Sequence, residues 1–327
     1  MTAAEKPIAP RRGAGRHPRP AVPLDGLPAQ VSICEVSPRD GLQNESVLVP
    51  VATKLELISR LVEAGVSSLE VTSLVRPDWV PQLADAEELL ARLERRDGVR
   101  YVVLVPNRRG LERALAASVG DIALFASATE SFALANLHRS RAESMANFAE
   151  VAAEALAAGL SVRGYVSMCF GDPDEGVVPV ADVARAVGQL FEMGCWQVSI
   201  ADTIGVASPG QVHEMLEALG NAGLAPGSLA VHFHDTYGQA LANTLAALGA
   251  GVTTVDSSAG GIGGCPYAKS ATGNLATEDL VFMLDGLGIE TGVDLAALAR
   301  TSLWMAEQLG RASPSRVVAA LGKEKNR

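Results

Sequence analysis

Leu229–Asn243 reads LAVHFHDTYGQALAN: an apolar lead runs into His232, Phe233, His234 and Asp235, and a helical pattern starts immediately afterwards. This is the signature of a buried strand that ends in polar residues and feeds a helix. Side chains alternate along a strand, so His232 and His234 share one face and Phe233 takes the other. Two imidazoles on one face can bind one ion. The competing reading has one histidine in the core and the other at the strand end. The chain has five histidines, and the other three stand alone at His17, His138 and His213, which favours ligation.

Outward from this unit, the same alternation repeats. Candidate strands are Val31–Val36, Ser68–Thr72, Tyr101–Val105, Asp121–Ala126, Ser161–Ser167, Gln197–Ala201, Leu229–His234 and Val252–Asp256. Helical stretches rich in Ala, Leu and Glu lie between them, at about Val51–Ala64, Gln82–Leu93, Arg108–Ala117, Arg139–Ala158, Val180–Met193, Pro209–Leu219 and Gly238–Leu248. Strand–helix alternation on this scale predicts an α/β fold, a (β/α)8 TIM barrel, with additional C-terminal helices at Leu275–Leu287 and Leu295–Leu309. A doubly wound sheet would carry a GxGxxG turn after its first strand, and none is present. No Walker lysine motif occurs either.

The domain reading is a disordered Pro/Arg-rich tail over 1–28, a barrel with its C-terminal helices over 29–310, and a C-terminal tail over 311–327. Six prolines with Arg11, Arg12, Arg16 and Arg19 exclude a helix from the first segment, which argues against an amphipathic transit peptide. A formal charge of -10 with no recurring basic run argues against nucleic acid as a partner. Cys34, Cys169, Cys195 and Cys265 lack CxxC spacing, which indicates a reducing compartment; the first three read as packed core residues. No apolar run is long enough to span a membrane and no signal-peptide pattern is seen, so the expected location is cytoplasmic.

In a TIM barrel the chemistry belongs at the C-terminal ends of the strands, and polar residues collect there. Strand one runs to Arg39 and Asp40, strand two carries Glu70 and continues to Thr72 and Ser73, and strand three leads to Asn107. Strand five holds Tyr165 and Ser167, strand six ends at Asp202 and Thr203, and strand seven at the histidines. The loop Gly260–Tyr267 follows strand eight, and Asn274 follows the loop.

Pro38–Glu45, PRDGLQNE, reads equally well as a structural turn or as a site; Arg39 offers forked donors for a carbonyl or carboxylate gaining charge, and Asp40 could share the histidines' cation. A buried Glu70 needs a partner, and Arg39 is the available cation. Cys265 lies in a glycine-rich loop long enough to cover a barrel mouth; the alternative is a phosphate-cradling loop in which the thiol is incidental. Lys54 and Arg109 read equally well as phosphate partners at the barrel rim or as solvated surface cations, and are left out of the site.

Taken together, SPRDGLQNE, SVRGYVS, ADTIG, HFHDTYGQALAN and GGIGGCPYAKSATGNLATEDLVFML make the chain resemble the 3-hydroxy-3-methylglutaryl-CoA lyase family, from about Val31 through the last helices. That resemblance implies a divalent cation, Mg2+ or Mn2+, held by Asp40, His232, His234 and Asn274. It implies catalysis by Arg39, Asp40 and Cys265, support from Glu70 and Asp202, and substrate binding by Arg39 and Gln43. It further implies an acyl-CoA substrate, a homodimer, and retro-Claisen cleavage to acetoacetate and acetyl-CoA. The chain departs from the family at Gly171–Gly176, GDPDEG where GCPYEG is common, and at Ala201, which puts the acyl group in question. The alternatives are a lyase for a related 3-hydroxyacyl-CoA, an acetyl-CoA-dependent condensing acyltransferase, a pyruvate-releasing aldolase, and a non-catalytic barrel that binds acyl-CoA or metal. The loop cysteine and the short extension after the barrel favour the lyase over the condensing enzyme.

Overall fold

Long apolar runs flanked by helices are what a parallel sheet buried on both faces requires, and here they close on themselves. The computed structural model describes residues 20–265 and 268–322, with backbone only at 265, 268–272 and 322. Eight parallel strands form a closed barrel: β1 Ser32–Glu35, β2 Ser68–Ser73, β3 Arg100–Leu104, β4 Asp121–Ser127, β5 Ser161–Ser167, β6 Gln197–Asp202, β7 Leu229–Phe233 and β8 Thr254–Ser257. Pairing of β1 with β8, from Ser32↔Thr254 to Glu35↔Ser257, completes the ring. All eight expected strands are present, with ends shifted by at most two residues.

The outer layer is α1 Val51–Glu63, α2 Ala86–Arg92, α3 Arg108–Ala116, α4 Glu130–Leu137, α5 Arg141–Ala157, α6 Val180–Glu192, α7 Pro209–Asn221 and α8 Ala240–Gly249. Three more helices follow: α9 Thr277–Gly286, α10 Leu295–Leu309 and α11 Arg316–Gly322. Local chemistry sets several boundaries. Ser140 and Glu143 form a reciprocal cap at the start of α5, Asn107 accepts from the Gly110 amide at the start of α3, and Gly310 ends α10 at φ 66°. α4 was not expected, because the apolar residues of ESFALANL do not line one face.

At both ends the described chain is more structured than the sequence suggested. Residues 1–19 of the expected tail lie outside the described residues, but from Pro20 the chain runs beside the end of α9, where the Val22 amide donates to Gly286 O at 3.0 Å. Within the expected C-terminal tail, α11 packs on α9 and α10 with Val318 buried, and Asp279 accepts from Ser315 Oγ and the Arg316 and Val317 amides. Lys54 is a correction too: its side chain is 1% exposed, with Nζ 2.7 Å from Asp85 Oδ1.

Leu57, Leu61, Val71, Phe148, Val183, Leu216 and Phe233 belong to the large core between strands and helices. The interior of the barrel is different. Its apolar side is small, Val102, Leu104, Ala123 and Tyr165 from β3 to β5. Facing it, Glu70, Arg163, Ser199, His232 and Asp256 are all buried, so charged groups must pair there. Among the described residues, no helix is long and apolar enough to cross a membrane.

Candidate active site

The chain leaves β1 through a π-helical turn, Ser37–Gly41, closed by the Gly41 amide donating to Val36 O at 3.1 Å. Such turns are uncommon and re-aim side chains at functional sites. Gly41 is needed because a Cβ there would lie 2.8 Å from both Ile262 Cγ1 and Ser258 Oγ. The turn delivers Arg39 and Asp40 over the barrel mouth. Arg39 Nε donates to Glu70 Oε1, and Nη1 donates to Asp40 Oδ1 at 2.7 Å. Tyr165 Oη donates to the other Glu70 oxygen, so the fully buried Glu70 carboxylate has partners on both sides. Arg39 is thus the partner the sequence required for Glu70. Burial opposes its charge, yet Glu70 and Asp40 outweigh that and raise the guanidinium above its ordinary range.

β7 brings in the histidines as the alternation demands: Phe233 packs outward near Phe170, ring centroids 6.2 Å apart, while the two imidazoles sit 5.3 Å apart over the barrel. One ligand atom each from Asp40, His232 and His234 lies within 4.8 Å of the others. Bridge pairing of His234 with Asn274 adds the fourth residue. Asn274 Nδ2 donates to Asp40 Oδ2 at 2.9 Å and to Ile262 O at 3.3 Å, which fixes the amide.

Two buried atoms of the cluster have no hydrogen-bond partner, Asn274 Oδ1 and His234 Nδ1; His232 Nδ1 is turned away from it, 3.6 Å from Asp256 Oδ2. Burying such groups unsatisfied is costly. An amide oxygen, a carboxylate and two imidazoles form a donor set that suits a divalent cation of intermediate hardness. Burial tends to raise the Asp40 pKa, but Arg39, His232 and His234 outweigh it and hold the carboxyl at about 2. Burial, then the neighbouring His232, lowers His234 to about 4, which leaves its ring neutral at pH 7 with a lone pair to offer. His232 is displaced the other way: burial opposes its charge, but Asp256 and Asp40 raise it overall.

The remaining expected residues fall around this cluster. Asp202 is buried, and its carboxylate accepts the amides of Val206 at 3.0 Å and Ala207 at 2.9 Å, holding the loop after β6. Gln43 is half-buried just past the π turn, and among the described residues no hydrogen bond joins it to the cluster. The backbone of Cys265 pairs with Ala268 in a two-stranded hairpin, and its side chain lies outside the described residues. Asp172, at the departure from the family pattern, is engaged in a loop network of its own. It accepts from Thr129 Oγ1 at 2.6 Å, Ser131 Oγ at 2.9 Å and two backbone amides, tying the β4–α4 loop to the β5 loop.

Sequence reasoning passed over Asp256, Arg163, Glu35 and Glu278. Arg163 pairs with Asp256 deep in the barrel, Nη2 to Oδ1 at 2.7 Å. Glu35 accepts the Ser37 and Ala259 amides, each at 2.9 Å, and Glu278 accepts the Gly260 amide at 2.8 Å. These two carboxylates fix the start of the glycine-rich loop, and burial pushes Glu278 up to about 8. The available signal was a charge inside an apolar strand, at Arg163 in SVRGYVS and Asp256 in VTTVD.

Known proteins resemble this chain over most of its length. The mitochondrial hydroxymethylglutaryl-CoA lyase of Bos taurus is 48% identical over 321 residues, covering 97% of this chain and 98% of the relative. The cytoplasmic 3-hydroxy-3-methylglutaryl-CoA lyase of Rattus norvegicus is 48% identical over 91% of this chain and 86% of its own. The crystal structure of the Bacillus subtilis HMG-CoA lyase superimposes with a TM-score of 0.89 at 44% identity, over 90% of this chain and 99% of that one. Residues 30–304 match the HMGL-like family, and the chain belongs to it.

Proposed function

We propose that this protein is a divalent-cation-dependent carbon–carbon lyase that cleaves 3-hydroxy-3-methylglutaryl-CoA to acetoacetate and acetyl-CoA. The observation that carries the reading is the convergence of Asp40, His232, His234 and Asn274, with Asn274 Oδ1 and His234 Nδ1 buried and without hydrogen-bond partners, beside the Arg39–Glu70 pair. A bound cation would supply Lewis acidity, making the substrate's tertiary hydroxyl easier to deprotonate. Asp40 or a histidine takes the hydroxyl proton. The carbonyl of acetoacetate then forms as the C–C bond breaks, and that electron pair passes to the thioester as an enolate. Arg39, held in plane by Glu70, presents its guanidinium to the enolate oxygen. Cys265 donates the proton that turns the CH2 carbon into the methyl of acetyl-CoA, and Gln43 contacts the substrate.

Mg2+ or Mn2+ is the proposed ion, acyl-CoA the substrate class, a homodimer the assembly and the cytoplasm the location. Residues 29–310 form the catalytic unit. The test is cleavage by metal-stripped protein with and without Mg2+ or Mn2+, following both products, alongside Cys265→Ala. Metal-dependent cleavage lost in the variant is expected. Metal binding without cleavage of this thioester would overturn the substrate and turn attention to longer 3-hydroxyacyl-CoA compounds.

A further inference from the structure

His232 presents Nε2 toward the cluster, 4.0 Å from Asp40 Oδ2, and keeps Nδ1 buried on the other side of the ring. The carboxylate facing that nitrogen is Asp256, with Oδ2 at 3.6 Å. This placement follows from the sheet, since His232 and Asp256 are register partners on β7 and β8 and so point to the same side. Asp256 is also held from beneath. Arg163 Nη2 donates to Oδ1 at 2.7 Å, and Ser199 Oγ donates at 2.7 Å to Oδ2, the oxygen that faces His232. Arg163 is in turn fixed by Gln197 Oε1 at 3.0 Å and by Tyr165 Oη.

A neutral imidazole has one proton for two nitrogens, and the neighbour of one nitrogen decides which carries it. An anion at Nδ1 retains the proton there and leaves the Nε2 lone pair free. Without that anion, the other tautomer would place a proton where a cation must bind. At 3.6 Å the two atoms face each other without a closed hydrogen bond, and the proposal requires the pair to shorten when the ion binds.

We propose that Asp256 is the positioning residue of the cation site: it accepts the Nδ1 proton of His232 and fixes the tautomer and ring angle that aim Nε2 at the ion. Arg163 and Ser199 aim Asp256 in the same way. This inference rests on reading Asp40, His232, His234 and Asn274 as a cation site.

The test is Mn2+ binding by the full chain, measured by electron paramagnetic resonance for wild type, Asp256→Asn and Ser199→Ala. Long-range proton–nitrogen NMR of the metal-stripped proteins at alkaline pH reads the tautomer of the neutral His232 ring. Asp256→Asn is expected to weaken Mn2+ binding about 10- to 100-fold and to mix the tautomers. Ser199→Ala, which leaves the Arg163 pair in place and keeps the fold testable, is expected to weaken it roughly twofold to tenfold with only a modest fall in unfolding midpoint. Wild-type affinity and an unmixed Nδ1–H tautomer in both variants would overturn the proposal. Failure of wild type itself to bind Mn2+ would instead remove the cation site, and the proposal with it.

Discussion

Asn274 gives its amide nitrogen to Asp40 at 2.9 Å and keeps its amide oxygen buried with no protein partner. Truncation of the side chain to a methyl group removes the amide oxygen as a ligand, and loss of the amide nitrogen frees the Asp40 carboxylate to swing. Asn274→Ala is expected to weaken Mn2+ binding about tenfold or more with little change in stability, as titration of the metal-stripped protein would show.

Gly263 guards the same amide. Its φ is 119°, and a Cβ there would lie 2.6 Å from Asn274 Nδ2. Gly263→Ala is therefore expected to displace Asn274 and strain the loop together, lowering kcat strongly and stability by about 1–3 kcal/mol. Thermal unfolding alongside steady-state kinetics separates the two effects.

Arg39 and Glu70 form a buried pair, and loss of one charge leaves the other stranded. Arg39→Met is expected to abolish turnover and to cost about 3–5 kcal/mol in urea unfolding. Arg39→Lys retains charge but not the planar fork, so stability should recover further than kcat. Equal recovery of both would argue against a role for the fork in the reaction.

Glu278 gives the protein a pH signature. Burial raises its folded pKa to about 8 from an ordinary 4.5, so the native state holds a proton that the unfolded chain releases. Its contribution then turns unfavourable as pH rises from about 4.5 to about 8, by an amount on the order of a few kcal/mol. Glu278→Gln removes that slope. The stability of wild type relative to the variant should fall between pH 5 and pH 8, and a constant difference in denaturant titrations would refute the assignment.

A cation that binds the folded site alone raises its melting temperature. With Mn2+ at about 100 times its dissociation constant, the metal-stripped protein should gain about 2.7 kcal/mol. His234→Ala should show a much smaller rise in a thermal scan with and without the ion.

Legibility in the sequence followed range. Strand order, the outward Phe233 and the paired histidines come from alternation within a few residues, and the polar strand ends located the barrel mouth before any contact was seen. The Arg39–Glu70 pair was legible because a lone carboxylate in an apolar strand demands a cation. Arg163 and Asp256 obey the same logic but lie 93 residues apart, and barrel closure alone brings them into contact. The π turn was hidden because its i-to-i−5 bond depends on Gly41 seating against Ile262 and Ser258. α11 was hidden because RVVAALG is short and is held by Asp279 of a different helix.

Closure of the ring by β1 and β8 has one more consequence. Asp40 lies just beyond the first strand and Asn274 beyond the last, so the donors straddle the seam where the two ends of the barrel meet. A chain emerging from the ribosome cannot assemble this quartet until nearly all of the fold has been made. The ion site is thus a clasp on the finished ring, and its occupancy reports that the ring has closed.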